Sequence, residues 1–212
     1  ISNHYIHSTL CAESNYTSGT LSMELSADNP TKSKIAKQYQ VELLSPSGQT
    51  IWKQTKKVRL SSGDNSICFE SDTLSLLKPW SSETPNLYTV IIRQQDSKGR
   101  EELVFSTKHG FRQIEIKDNY VFINGKQVFF KGVNTQDTHP LRGRSIDVNT
   151  MLSDIIMMKQ ANINTIRTSH YPRQPKMYAM TDYYGIYVMD EADVECHYNW
   201  VVGGEQGGIT ND

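Results

Sequence analysis

The sequence has few cysteines and no long apolar run, and these absences exclude several classes of protein. Its 212 residues include three cysteines, Cys11, Cys68 and Cys196, which are far apart and show no C-x-x-C spacing. A disulfide framework or a cysteine-built zinc site is therefore not expected. Since no apolar run approaches the roughly 20 residues of a membrane span, we expect no membrane partner.

The sequence also lacks an excess of charge of either sign. Its formal net charge is −1 at pH 7, which gives no electrostatic reason to expect nucleic acid as a partner. The chain begins with Ile1 and shows no signal-peptide pattern. We interpret it as an excised or processed piece, so its N-terminus does not indicate whether the compartment is cytoplasmic or periplasmic.

The first half has the period-two pattern of β-strands. Apolar and polar residues alternate along 21–25 and 39–43, and turn residues follow the second run at 46–48 and occur again at 61–65. The polar segment Ala27–Lys37 predicts a loop. Further strand-like runs lie at 67–70, 87–94 and 103–106. Six or seven short strands without a helical pattern predict an all-β immunoglobulin-like sandwich over residues 1–110.

The second half alternates strands with helices. The predicted strands are Val128–Val133, Asn164–Thr168 and Ile186–Asp190, and the predicted helices run from about Asn149 to Ala161 and from Pro175 to Tyr184. We expect Asn149 or Thr150 to cap the first helix, with Leu152, Ile155, Ile156 and Lys159 on one face. A hairpin is predicted at Asn124-Gly125. Parallel strands with right-handed crossovers follow from this order, and both a doubly wound sheet and a (β/α)₈ barrel begin this way.

Polar side chains follow each of the three predicted parallel strands. They are Asn134, Gln136, Asp137 and His139 after the first, Arg167, Ser169, His170 and Tyr171 after the second, and Asp190, Glu191, Asp193, Glu195 and His197 after the third. The carboxyl ends of parallel strands form one face, so these groups are expected to converge there. Arg167 at a strand end would need carboxylate partners, whereas His139 alone is better explained as part of a loop.

Glu195 and His197 have the i, i+2 spacing that places two ligands on one side of an extended chain. Alone, this is a weak metal signal, because a solvated pair is commoner and such ligands select poorly among magnesium, manganese and zinc. Asp193 and Glu195 cannot be a retaining glycosidase pair. Their Cα atoms would be roughly 6.7 Å apart on one strand face, whereas that pair must flank the sugar.

The run Asn164–Pro172, continued by Met177-Tyr178, Asp182 and Gly185–Met189, resembles the first signature of glycoside hydrolase family 2. Other stretches are similar to the family's sandwich domain and to its junction with the barrel: Pro79–Tyr88, Gly110–Arg112, Asn124–Lys126 and Lys131–Asn134. The resemblance implies that the sandwich leads into an incomplete α/β (TIM-type) barrel, with its first three strands in residues 111–212.

The resemblance also implies a function. Members of this family are retaining exo-glycosidases, and the Glu-x-His pair favours the β-galactosidases over the β-glucuronidases. The expected activity is hydrolysis of terminal β-D-galactosides by a longer parent, with both catalytic glutamates beyond Asp212 and this piece inactive alone. The resemblance leaves a homo-oligomeric parent open.

Residue roles are carried over by position. Arg167 is expected to support the nucleophile, and Asn134, His139 and His170 to contact the sugar, together with Arg167. Glu195 and His197 are expected to bind Mg²⁺. Gln136 and Thr138 stand where the family's galactosidases have histidines, which puts sugar selectivity in question. The alternatives are a non-catalytic scaffold or carbohydrate-contacting module, and a β-glucuronidase or β-mannosidase parent.

Overall fold

Antiparallel strands form two sheets in the first part of the chain. The computed structural model describes residues 1–193. The strands are β1 (Asn3–Leu10), β2 (Gly19–Asn29), β3 (Ile35–Leu44), β4 (Thr50–Leu60), β5 (Gly63–Glu70), β6 (Tyr88–Asp96) and β7 (Glu101–His109), and a short 3₁₀ turn covers Ala12–Ser14. One sheet has the order β1-β2-β5 and the other β4-β3-β6-β7.

Alternation along the strands builds the sandwich core. Every second residue of β2, including Leu21, Met23 and Leu25, is buried, and β3 buries Tyr39 and Val41 in the same cluster. Burying each such side chain contributes about 1.5–3 kcal/mol. The sandwich prediction is therefore confirmed.

The predicted loop Ala27–Lys37 is too long at both ends, because only residues 30–34 lie between strands. β2 continues to Asn29 and β3 begins at Ile35. The amide of Asn29 is buried and donates to the backbone oxygens of Ser33 and Leu60, at 2.9 and 3.3 Å. A polar side chain thus occupies a core position because its hydrogen bonds are satisfied there.

Strand β4 was not predicted from the sequence, because long polar side chains occupy its inward-facing positions. Its half-buried positions include Trp52, Gln54, Lys56 and Val58. The Lys56 amine lies 5.5 Å from the centre of the Phe69 ring. Its aliphatic stem can cover the core while the charged end stays near solvent.

A small sheet of order β10-β9-β8 follows, formed by β8 (Ile114–Lys117), β9 (Tyr120–Ile123) and β10 (Lys126–Gln127). Asn124 and Gly125 have φ values of 50° and 73°, which confirms the predicted hairpin turn. By its contacts this sheet belongs to the compact unit Ile1–Phe129, and a second unit comprises Phe130–Asp212. The domain boundary at residue 110 stays a prediction.

The second unit contains a parallel sheet of order β11-β12-β13, with β11 at Gly132–Thr135, β12 at Thr165–Thr168 and β13 at Tyr187–Met189. Helix α1 (Val148–Gln160) joins the first two strands and α2 (Pro175–Tyr184) the last two. The predicted strand–helix alternation is confirmed. Its first strand is displaced, because the apolar residues Phe129 and Phe130 precede the hydrogen-bonded segment that begins at Gly132.

The two helices differ in how well their patterns predicted them. Helix α2 begins at Pro175 and ends before Gly185 in the left-handed conformation, as predicted. In α1 the cap is Asp147, whose carboxylate accepts from the Thr150 amide, so the predicted cap is wrong. The helix buries Met151 and Ile155, with Ile156 exposed. Leu152 and Lys159 are half-buried, so the predicted face is right for three of its four residues and wrong for Ile156.

Both helices pack onto the sheet through one small apolar core. Its buried members are Met151, Ile155, Ile166, Met177 and Ile186. This packing fixes the strands whose carboxyl ends carry the polar residues. Neither helix in residues 1–193 is long and apolar enough to cross a bilayer.

Candidate active site

The structure brings polar groups from all three parallel strands together around Arg167. The Arg167 Nε donates to Glu191 Oε1, and its Nη1 donates to Asn134 Oδ1 at 3.3 Å. His170 Nδ1 lies 2.9 Å from Glu191 Oε2 and 3.3 Å from Arg167 Nη2. We call Asn134, Arg167, His170 and Glu191 the Arg167 cluster.

The Arg167 cluster exists because the strands are parallel and in register. Asn134 on β11 pairs with Arg167 on β12, which pairs with Met189 on β13, and Glu191 follows two residues later. His170 lies in the turn after β12, and the Ser169–His170 peptide bond is cis. Three distant segments therefore meet at one end of the sheet.

The cluster is partly accessible and its carboxylate is ionised. The hydrogen bond from Arg167 lowers the pKa of Glu191 below its ordinary value; burial opposes this with a smaller effect, and the hydrogen bond with His170 adds to the lowering. The side chains of Arg167 and His170 are 37% and 41% exposed, so a ligand can reach them. Such a set of guanidinium, imidazole, amide and carboxylate groups can both donate to and accept from hydroxyl groups.

A second set of hydrogen bonds holds the backbone of Glu191. Thr168 Oγ1 donates to Asp190 Oδ1 at 2.9 Å and accepts from the Glu191 amide at 2.9 Å. The Tyr178 hydroxyl donates to the same Asp190 oxygen at 2.6 Å. Burial, and then this hydrogen bond, raises the pKa of Tyr178, so the phenol remains a donor. The carboxylate of Glu191 is therefore presented from a fixed backbone.

The structure assigns roles that the sequence reading did not. Glu191 is the carboxylate partner that Arg167 was expected to need; it was among the polar residues expected to converge, but no role had been assigned to it. Its position after the third strand was the available signal. Thr168 and Tyr178 lie within the family signature, but their hydrogen bonds with Asp190 and Glu191 were not predicted, because they join segments that are distant in the sequence.

His139 is held in a local turn. Its amide donates to Gly143 O at 2.7 Å, and its Nδ1 accepts from the Leu141 amide at 3.1 Å. Within residues 1–193 it makes no hydrogen bond to the Arg167 cluster. Its expected role in sugar binding stays a prediction.

The predicted metal ligands Glu195 and His197 lie outside the described residues. Among residues 1–193 there is no group of three or more His, Cys, Asp or Glu side chains placed to hold a metal ion. The magnesium prediction is therefore untested. Asp193 can be placed: together with Asp137, Arg144, Tyr171 and Pro172 it lines an open cleft of about 370 Å³.

Comparison with known proteins identifies the family. Residues 1–112 match the description "Glycosyl hydrolases family 2", and residues 114–210 match "Glycosyl hydrolases family 2, TIM barrel domain". The chain belongs to glycosyl hydrolase family 2. The family-2 resemblance and the predicted order of a sandwich followed by the start of a barrel are thereby confirmed.

Two curated relatives are named β-galactosidases. The chain is 46% identical over 138 residues to the enzyme of Streptococcus thermophilus, which covers 65% of this chain and 13% of that protein. It is 38% identical over 154 residues to β-galactosidase BgaC of Bifidobacterium adolescentis, covering 73% of this chain and 14% of that protein. The chain thus spans only about a seventh of the length of these relatives.

Two solved structures have the same fold as this chain. A Bacteroides uniformis β-glucuronidase superposes with a TM-score of 0.83 at 22% identity, over 90% of this chain and 23% of that one. A family-2 member from Bacteroides cellulosilyticus gives a TM-score of 0.83 at 19% identity, over 92% and 25%. At these identities the likeness concerns the fold.

Proposed function

We propose that this chain is part of a family-2 β-galactosidase, a retaining exo-glycosidase that hydrolyses terminal β-D-galactosides. The observation that carries the proposal is the Arg167 cluster, which presents donors and one ionised carboxylate at the carboxyl ends of three parallel strands. In barrel enzymes of this type that end of the sheet is the active face. The two curated relatives named β-galactosidases support the galactoside over other sugars.

The proposed reaction is double displacement, in which one carboxylate is the nucleophile and a second is the acid and then the base. Both glutamates would lie in the parent beyond Asp212. The chain's own residues would bind and orient. Arg167, anchored through Nε by Glu191, would direct its Nη groups towards the nucleophile and the sugar, and Asn134 and His170 would hydrogen-bond to sugar hydroxyls.

Two further residues belong to this proposal. His139 would contact the sugar from the turn after β11, in line with its place in the family's motif. Gln136, where the family's galactosidases have histidine, would offer an amide in place of an imidazole. An amide can donate and accept simultaneously, so a hydroxyl can still be recognised there. This difference would alter selectivity among galactosides.

We also propose Mg²⁺ as a cofactor of the parent, with Glu195 and His197 as ligands. The support is the family resemblance and the suitability of carboxylate oxygen as a Mg²⁺ ligand. When bound, the ion would lower the energy of negative charge near the acid/base group.

The deciding experiment compares the full-length parent with this 212-residue chain in hydrolysis of an aryl β-D-galactoside, with the β-D-glucuronide and β-D-mannoside as matched substrates. We expect the parent to turn over the galactoside at least about 100-fold faster than the other two, because a polar site rejects a mismatched hydroxyl or carboxylate strongly. The chain alone should be inert.

Other results have clear meanings. A parent that prefers the glucuronide or the mannoside would refute the galactosidase proposal. Turnover by the chain alone would mean that Glu191, Asp193 or Glu195 catalyses. If neither protein acts on any of these glycosides, the scaffold alternative becomes the better account.

A further inference from the structure

Arg173 is a buried arginine with no role in the proposed chemistry. It lies between β12 and α2, and its side chain is 1% exposed. Taking a guanidinium out of water is strongly unfavourable unless its partners compensate. The location of those partners therefore indicates what the residue stabilises.

The partners of Arg173 lie in two segments. Its Nη2 donates to the backbone oxygens of Thr135, at the end of β11, and of Ser169, in the turn after β12 (3.2 Å to the latter). Its Nη1 is 3.8 Å from Asp137 Oδ2 and makes no hydrogen bond within residues 1–193. The guanidinium lies 4.2 Å from the centre of the Tyr171 ring.

Along the chain, the partners of Arg173 lie on both sides of Gln136 and of His170. Thr135 and Asp137 are the neighbours of Gln136 along the chain, and Ser169 and Tyr171 are the neighbours of His170. The Tyr171 hydroxyl also accepts from the Asp137 amide at 3.1 Å, which joins the two segments a second time. One guanidinium thus holds the backbone on the N-terminal side of both positions, at Thr135 and Ser169, and contacts the Asp137 and Tyr171 side chains on the C-terminal side.

We propose that Arg173 is a positioning residue that sets the separation between the segment bearing Gln136 and the turn bearing His170. The proposal rests on the proposed function, in which these two residues face the sugar. Arginine suits this task because its planar fork can reach two carbonyls and stack on an aromatic ring at once. A lysine at this position would keep the positive charge but could form only some of the contacts that join the two segments.

The kinetic test uses the full-length parent with the variants Arg173→Met, Arg173→Lys and Arg142→Met. Arg142 is the matched control, because it is an exposed arginine of the same unit that pairs with Asp147 at 2.7 Å. Active sites are counted with a covalent fluorinated galactosyl inhibitor, and kcat is expressed per counted site. Misplacement by about 1 Å costs on the order of 100-fold in rate, so we expect that loss in kcat for Arg173→Met.

The other variants sharpen the result. Arg173→Lys should recover part of the loss, about tenfold, through its remaining donors. Arg142→Met should stay within about twofold of the wild type, as expected for an exposed ion pair. A purely structural role would reduce the number of counted sites without changing kcat per site. An Arg173→Met variant with kcat per site within about twofold of wild type would therefore overturn the proposal.

A second measurement does not depend on activity. Hydrogen exchange of the Asp137 amide, which is bonded to the Tyr171 hydroxyl, is compared between the wild-type 212-residue chain and its Arg173→Met variant. We expect at least about tenfold faster exchange in the variant, because local opening exposes the amide. An unchanged exchange rate of the Asp137 amide would refute the proposal that Arg173 joins the two segments. If the parent proves inert on galactosides, the proposed function fails, and exchange alone decides the structural role of Arg173.

Discussion

The sandwich and the barrel portion use their polar residues in different ways. In the sandwich, polar side chains pair across neighbouring strands, as Arg93 does with Glu101 at 2.9 Å, and the apolar positions form one large core. In the barrel portion, the core is small and polar groups from separate strands meet at one end of the sheet. The first arrangement favours stability and the second favours ligand recognition.

The two regions also differ in the size of their apolar cores. The sandwich core contains 18 buried residues, whereas the core of the barrel portion contains five among the described residues. Burial of apolar surface is the main favourable contribution to folding, so the smaller core provides less stabilisation. The two regions should therefore differ in stability as well as in chemistry.

The largest expected effect is a difference in stability between the sandwich and the barrel portion. We expect the 212-residue chain to unfold in denaturant in two transitions, the barrel portion first. Phe69→Ala should lower the free energy of unfolding in the later transition by about 3–5 kcal/mol, because the ring is fully buried in the sandwich core. Circular dichroism and tryptophan fluorescence would follow both steps.

Tyr5→Ala is the control for this prediction, since Tyr5 is 65% exposed on β1. It should change either transition by less than about 0.5 kcal/mol. A single cooperative transition of the whole chain would show that the two regions are not independent in stability. That result would remove the physical basis of the comparison.

The next largest expected effect is a difference in chemistry between the sandwich and the barrel portion. In the full-length parent, Arg167→Met should lower kcat/KM for an aryl β-D-galactoside by about 10²–10³-fold, because a preorganised donor beside the reacting groups is lost. The sandwich transition should be unchanged. Arg93→Met, which removes the ion pair with Glu101, is the matched control and should alter kcat/KM by less than about twofold. Equal losses in the two variants would contradict a special role for Arg167.

The smallest effect is a pH dependence confined to the sandwich. His109 Nε2 lies 2.9 Å from Ser8 Oγ, and burial, followed by the charges of Arg112 and His7, lowers the pKa of His109 from 6.5 to about 4. The folded state thus binds the proton more weakly than the unfolded state. Its contribution to stability is present above pH 6.5 and is lost as the pH falls towards about 4.

The loss should reach no more than about 3 kcal/mol, since each pKa unit corresponds to about 1.4 kcal/mol and the ring is only half-buried. Denaturant unfolding of the chain between these pH values would measure it. His109→Gln should flatten the dependence of the sandwich transition, while His7→Gln, at an exposed position, should retain most of it. An unchanged pH profile in His109→Gln would assign the dependence to other groups.

Sequence reasoning succeeded where local chemistry decides the structure. Pro175 and Gly185 bound α2 through their backbone preferences alone, and Asn124-Gly125 specifies its turn in the same way. Sequence reasoning failed where contacts with other side chains or backbone groups decide the structure. The cap of α1 is Asp147 and not a predicted residue, because the Asp147 carboxylate accepts a hydrogen bond from the Thr150 amide. Strand β4 was missed because the Lys56 side chain packs at the core beside Phe69.

For the candidate site the division is similar. The sequence by itself determined the family signature, the order of strands and helices, and the polar residues that follow each strand. Only the tertiary structure decided that Glu191 pairs with Arg167, that His139 remains in its own turn, and that Arg173 joins two segments. The reason is physical: backbone preferences act over a few residues, whereas the partner of a charge is selected by which segments the packed sheet brings within hydrogen-bonding distance.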